Sequence, residues 1–511
     1  MLLRPNPRLT RREMLRAISI CGAGGAATLA PLLSSCRREE DLKLGVDRKA
    51  LDPNARYLIV ISAAGGASIV DSFMAVSQTE AGANAPNVNC FPDADVTAVA
   101  GTPFRATRVM SNEIGAIPRP VNANQVPFVT KHKNDMLVVA STGTSVNHVI
   151  AQKRSLTGNG AWKGRTLQEC VSLQYGSTYP IPNVNMGVSG YLERGSDDEL
   201  PSYCYAENVT QPSLWPLGLS GNKGFKDAPD AQLIDLARKL RNEKLDPESV
   251  FAKTFEKSPR LKRWFDDRGT AQPKLEAADL ITRLNVLPDQ PPSIPLSEYG
   301  LSSAPDAMRV RQAFPNYFGD PFEGQAALAF LLLKNRISVS VTLGPSFNVV
   351  LNGSELGQTP LAFDYSHNAH RHTQAFMWNK VLSVIDRLVD LLKTEPLDAT
   401  SGLSMWDRTL LYVATDFGRT RNRSGGSASF GTGHDMNNGF LMMSPMLKGN
   451  TLLGGVDPST TYTYGFDPET GVADPNKKLS NERDLFAGIL HAMGVSTPDS
   501  GLPDARAFRR A

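Results

Sequence analysis

Carboxylates and imidazoles recur in this chain where short apolar runs end. After Tyr57-Leu58-Ile59-Val60-Ile61 comes Gly65-Gly66-Ala67-Ser68-Ile69-Val70-Asp71. After Met136-Leu137-Val138-Val139-Ala140 comes Ser141-Thr142-Gly143-Thr144-Ser145-Val146-Asn147-His148. A longer excursion after Ile337 to Leu343 reaches Asp364-Tyr365-Ser366-His367. After Leu410-Leu411-Tyr412-Val413-Ala414 come Asp416 and Arg419, then Gly433-His434. Gathered at one edge, these give Asp71, His148, Asp364, His367, Asp416 and His434. Oxygen and imidazole donors converging from several loops are what a divalent metal requires, and this mix suits zinc, manganese, calcium or magnesium. Such an ion polarises an ester oxygen or lowers the pKa of a bound water. Asp71, Asp364, His367, Asp416 and His434 are the candidate ligands. His148 is the candidate nucleophile or general acid/base, and Arg419 the candidate anion fork. Each has a plainer reading alone: an Asp after a strand caps the next helix, and Arg419 can equally link to Asp416. His370 and His372 read as solvent-facing residues at a helix start.

The elements that position these residues follow from periodicity. Continuous apolar runs of strand length fit strands buried on both faces. Phe440 to Met443 adds a fifth run. A helical stripe runs from about Thr373 to Lys393 through Trp378, Val381, Leu382, Ile385, Leu388, Val389 and Leu392. A second helix follows Asn147. Strands alternating with helices predict an α/β fold, a sheet covered by helices on both faces. Open sheets of this kind bind ligands at the carboxyl ends of their strands. The stretch 225–295 is charged, helix-prone and closes in Pro288, Pro291, Pro292 and Pro295. It predicts a mainly helical insertion over about 190–330. Gly425 to Gly433 reads as a Gly/Ser-rich loop.

The N-terminus carries an address. Arg11-Arg12 precede an apolar, small-residue stretch from Ala17 to Leu33. That stretch is short for a span of about 20 apolar residues and has the layout of a signal peptide. The paired arginines point to the twin-arginine translocase as export partner. Leu33-Ser34-Ser35-Cys36 looks like a lipobox, in which Cys36 takes a diacylglycerol and anchors the chain to a membrane. The expected plan is a signal with its lipidated cysteine over 1–36, a tether over 37–55, one α/β domain over 56–495 and a tail over 496–511. The expected location is the cell envelope, as a periplasmic or outer-membrane lipoprotein.

Composition is ordinary for a globular chain of 511 residues, 41% hydrophobic and 21% charged. A net charge of +3 implies no nucleic-acid partner. Cys90, Cys170 and Cys204 would meet an oxidising compartment, which allows one disulfide and a free thiol.

Several segments in order carry a resemblance. Gly65 to Phe73, Asn147-His148 with Leu156-Thr157-Gly158, Trp406 to Thr420, Gly433-His434 and Asp484 to Gly494 resemble the domain-of-unknown-function family fifteen-oh-one. That family is exported from bacteria, frequently by the twin-arginine route. It is similar, remotely, to the alkaline phosphatase and sulfatase superfamily. The resemblance implies an alkaline-phosphatase-like mixed sheet and a metal-held anionic ester, with an anionic small molecule or glycan as substrate. Two positions depart from the superfamily pattern. The nucleophile position falls on His148, which is neither hydroxyl nor thiol, and the Asp-His pair is Asp416-Phe417. A single metal, or an anion site at Arg419, stays open. So does the alternative of a non-catalytic envelope binding or assembly protein on the same fold.

Overall fold

The computed structural model describes residues 54–111, 121–219, 229–259, 261–262, 265, 279–345, 350–351, 354–355, 362–423, 430–476 and 480–510. Arg11, Arg12, Cys36 and the tether up to residue 53 lie outside the described residues, as does most of the Gly/Ser-rich loop. The chain forms two compact units, one containing 210–335 and the other 52–209 with 336–511.

The larger unit is built on an eight-stranded mixed sheet. Its strands are β1 (Tyr57–Ser62), β2 (Met136–Thr142), β3 (Asn183–Met186), β4 (Glu207–Asn208), β5 (Ser340–Leu343), β6 (Thr409–Ala414), β7 (Asn437–Met443) and β8 (Thr451–Leu453). Their order across the sheet is β8-β2-β7-β6-β1-β5-β3-β4. β1 lies parallel to β6 and β5, while β7 runs antiparallel to β6 and β2. All six residues of β1 and of β6 are buried, as continuous apolar runs require of central strands. Ile337 and Val339 are buried too, yet pairing begins only at Ser340, later than the alternation predicts.

Helices flank the sheet. The chief ones are α1 (His148–Thr157), α2 (Leu167–Tyr175), α3 (His370–Thr394) and α4 (Glu482–Ala492). α1 begins where Asn147 caps it, its side chain accepting from the Ile150 amide at 3.2 Å. α3 buries the predicted stripe, including Trp378, Val381, Ile385 and Leu388. No helix among the described residues is long and apolar enough to cross a membrane.

The smaller unit is mainly helical. Its helix Pro321–Lys334 buries every residue from Phe322 to Leu333: the run Ala326 to Leu333 is apolar all round, and Glu323 and Gln325 are buried with it.

Three cysteines correct an expectation. Cys90, Cys170 and Cys204 are all buried free thiols, so no disulfide forms among them.

Candidate metal centre

Strand register brings distant residues to one edge. β1 and β6 pair from Tyr57↔Thr409 to Ser62↔Ala414, so Gly65 and Asp416 emerge side by side. β2 and β7 pair Thr142 with Asn437, which sets the loop to His148 beside the short strand His434–Asp435. That strand pairs with Gly418–Arg419, matching Arg419 to His434. The 3-10 turn Ala362–His367 supplies Asp364 and His367. Three-residue spacing nearly eclipses side chains in such a turn, and the His367 Nε2 lies 3.2 Å from Asp364 Oδ1.

Asp364 is the focus. Its Oδ1 lies 3.5 Å from His148 Nε2, 3.2 Å from His367 Nε2 and 3.5 Å from His434 Nε2. Arg419 Nη2 donates to the same oxygen at 2.8 Å. The His367 and His434 Nε2 atoms stand 2.9 Å apart. Ligand atoms of His148, Asp364 and His434 all fall within 4.8 Å of one another.

Two of the imidazoles are aimed by what holds their other nitrogen. His148 Nδ1 donates to Asp416 Oδ2 at 2.8 Å, and His434 Nδ1 donates to the Val146 carbonyl at 2.9 Å. A carbonyl and a carboxylate oxygen only accept, so both rings carry the proton on Nδ1 and turn Nε2 inward. Phe417 holds the rings further: it stacks on His434 at 4.0 Å and meets His148 at 4.8 Å.

Charge follows from these contacts. Burial alone would raise the Asp364 carboxyl. Hydrogen bonds from His148, His434 and Arg419, and the guanidinium charge, hold it far below the usual carboxylate range. Burial works to lower the His148 imidazole, but bonds to Asp364 and Asp416 raise it to about 9. His367 is lowered, by burial and by the Arg419 charge.

Of the five expected ligands, Asp364, His367 and His434 come together, with His148 joining them. Asp416 stands behind His148. It is 2% exposed and accepts from the amides of Gly65 (3.1 Å) and Gly66 (2.8 Å) and from Gln152 Nε2 (3.2 Å). Arg419 is fully buried. Its donors go to Asp364, to the carbonyls of Gly65 and Thr432, and to Phe363. Asp71 lies in a different buried cluster, accepting from His370 Nε2 at 2.8 Å and Asn89 Nδ2 at 2.9 Å. The expectation that His370 faces solvent is corrected: it is 0% exposed, with Nδ1 at 2.8 Å from Thr432 Oγ1. Its signal was the apolar register of α3, which places it on the buried side with Gln374 and Trp378.

No protein-family model matches the chain, and no curated protein matches it. Among solved structures, Ps i-CgsB in complex with k-i-k-neocarrahexaose shares 11% identity, covering 88% of this chain and 75% of that one, with a TM-score of 0.32. The lipoteichoic acid synthase LtaP from Listeria monocytogenes shares 8% identity over 90% of this chain and 78% of its own, with a TM-score of 0.31. The PH0037 protein from Pyrococcus horikoshii shares 10% over 87% and 98%, with a TM-score of 0.28. Likeness at this level assigns no activity.

Proposed function

We propose that this chain is an exported bacterial lipoprotein of the fifteen-oh-one type whose alkaline-phosphatase-like domain holds one divalent metal ion and hydrolyses phosphate or sulfate esters. The observation that carries the reading is the convergence of three imidazole Nε2 atoms on Asp364 Oδ1. His148, His434 and Asp364 would hold the ion, with His367 as a fourth donor. Three imidazoles and one carboxylate favour zinc or manganese over calcium or magnesium, which prefer all-oxygen shells. A bound divalent ion supplies a water of lowered pKa and polarises the ester oxygen.

The chain's own residues do the rest. Asp416 orients His148 through Nδ1, and the Val146 carbonyl orients His434. Arg419 is a positioning residue: it fixes the Asp364 carboxylate and its own donors are spent on carbonyls. Exposed Val146, Val149, Ile150 and Met436 sit on the elements that carry the histidines. An aryl or alkyl group on the ester suits that rim.

One observation favours the second reading, a non-catalytic binding protein on the same fold. Among the described residues no hydroxyl or thiol is hydrogen-bonded to His148, Asp364, His367 or His434. The test is metal content by mass spectrometry on natively exported protein, followed by turnover of aryl phosphate and aryl sulfate. About one equivalent of metal, lost in Asp364→Ala and His434→Ala, together with turnover, supports the hydrolase. Metal without turnover supports the binding protein. Folded, metal-free wild-type protein sinks the metal centre.

A further inference from the structure

The strand ends opposite the histidines frame a cleft of about 1120 Å³. Asp135 stands just before β2 and Lys448 shortly before β8, so the cleft lies at the starts of this parallel pair. The loop to His148 leaves the other end of β2. Seven strand residues at about 3.3 Å each separate the two places by about 20 Å. α4 spans the same interval. Its first residue, Glu482, accepts from the Thr144 amide at 2.8 Å in the loop that leads to His148, and His491 in its last turn lines the cleft.

Charge decides what the cleft can hold. Four cations line it, Lys448, Arg506, Arg509 and Arg510, against three carboxylates, Asp135, Glu469 and Asp504. Arg506 is paired with Asp504. Asp135 is taken by Lys393 at 2.8 Å and by Trp406 Nε1 at 3.0 Å. Among the described lining residues, Glu469 is then the one carboxylate left for Lys448, Arg509 and Arg510. Among the described residues none of these three cations has a carboxylate partner. Arg509 Nη1 stands 3.1 Å from His491 Nε2, and Arg510 Nη1 donates to the Pro445 carbonyl at 3.3 Å. Neither contact neutralises a charge.

The backbone under these side chains is cross-linked. The Lys448 amide donates to the Phe508 carbonyl at 3.0 Å, and the Arg510 amide to the Met446 carbonyl at 3.3 Å. Leu447 and Arg509 pair as an antiparallel bridge between them. Three cations are therefore presented from two backbone segments that this bridge ties together, which lowers the entropy cost of gathering them round a ligand. The volume exceeds that of an inorganic ion and reaches the range of organic ligands. Asn134 and Thr497 add neutral polar groups to the wall.

We infer that this cleft binds an anionic sugar, a ligand carrying several negative groups on its rings, with Lys448, Arg509 and Arg510 as its charge partners. The inference stands apart from the metal centre. The probe is sucrose octasulfate, titrated calorimetrically into the full chain, with sucrose and inorganic sulfate at equal ionic strength as references. The expected result is binding at least tenfold tighter than to sulfate, with none to sucrose. Combined Arg509→Ala and Arg510→Ala weakens it tenfold or more at an unchanged melting temperature, and Lys448→Glu does the same if that double variant folds poorly. Asp364→Ala leaves binding as in wild type. Equal affinity in the wild type and the cleft variants overturns the proposal, as does loss of binding in Asp364→Ala.

Discussion

At the scale of single residues, two buried carboxylates divide the work. Asp416 satisfies two backbone amides, a glutamine and His148 Nδ1 together. Asp416→Ala strands all four donors, at a cost of about 3 kcal/mol or more in urea unfolding. It should also weaken metal binding by about 10–100-fold, because an orienting partner acts through its ligand. A variant that loses neither is incompatible with this role. Asp71 and His370 make the other pair. His370 Nε2–H donates to Asp71 and Nδ1 accepts from Thr432, so the neutral ring is fully satisfied. Burial pushes His370 below its ordinary value. For Asp71 burial alone would raise the carboxyl, but His370 and Arg371 hold it well below the usual range. The sign for both depressed groups is the same. As pH falls below about 6.5 the unfolded chain takes a proton that folded His370 refuses, so stability is lost, up to about 1.4 kcal/mol per pH unit. Asp71 keeps its contribution until pH falls below about 4. Urea midpoints between pH 7.5 and 5.5 should therefore drop more steeply in wild type than in His370→Gln. Parallel slopes would remove His370 from the account.

At the scale of elements, the turn after β1 is the narrowest constraint. Gly65 and Gly66 have φ of +93° and +82°, and both amides point at Asp416. A Cβ on Gly65 would meet the Asp364 backbone nitrogen at 2.4 Å, and one on Gly66 the Arg419 Nε at 2.7 Å. Gly82, with φ of +56°, has nothing within 4 Å. Gly82→Ala should cost about 1 kcal/mol from backbone strain alone, and Gly65→Ala more than twice that, read from melting temperatures. Equal costs would mean that the close approach to Asp364 is dispensable. This turn also shows how much was legible. The runs at Tyr57, Met136 and Leu410 announced central strands because burial on both faces forces uninterrupted apolar residues. The rule that sites follow strand ends then gathered Asp71, His148, Asp364, His367, Asp416 and His434, and the structure brings all but Asp71 together, Asp71 turning to His370 instead. That rule could not say which carboxylate faces which imidazole. Asp71 and His370 meet across 299 positions, and no local pattern encodes such a partner. Nor does sequence reveal that Arg419 spends its fork on backbone carbonyls. That follows from the Gly65 turn bringing its own carbonyl against the guanidinium.

At the scale of the whole molecule, the thiols and the proposed export route bear on each other. Arg11→Lys with Arg12→Lys should leave an unprocessed precursor in the cytoplasm, and Cys36→Ser should yield a chain without lipid in the aqueous fraction. Both are read by fractionation and intact mass. The twin-arginine route carries chains already folded, so the interior is sealed in a reducing compartment. Cys170 and Cys204 lie on packed neighbours, α2 and the turn Ser202–Cys204, yet remain unpaired. Burial pushes the Cys204 thiol up to about 12 and Cys170 well above its ordinary value, which starves both of the thiolate that oxidation needs. Protein exported by its own signal should therefore show no titratable thiol when native and three when denatured, from Cys90, Cys170 and Cys204. The same chain sent through an unfolded-state export route should reach the oxidising side with those thiols exposed, and should lose two of them to a disulfide. If natively exported protein already carries a Cys170–Cys204 disulfide, the chain folded after crossing, and the twin-arginine reading of Arg11-Arg12 fails with it.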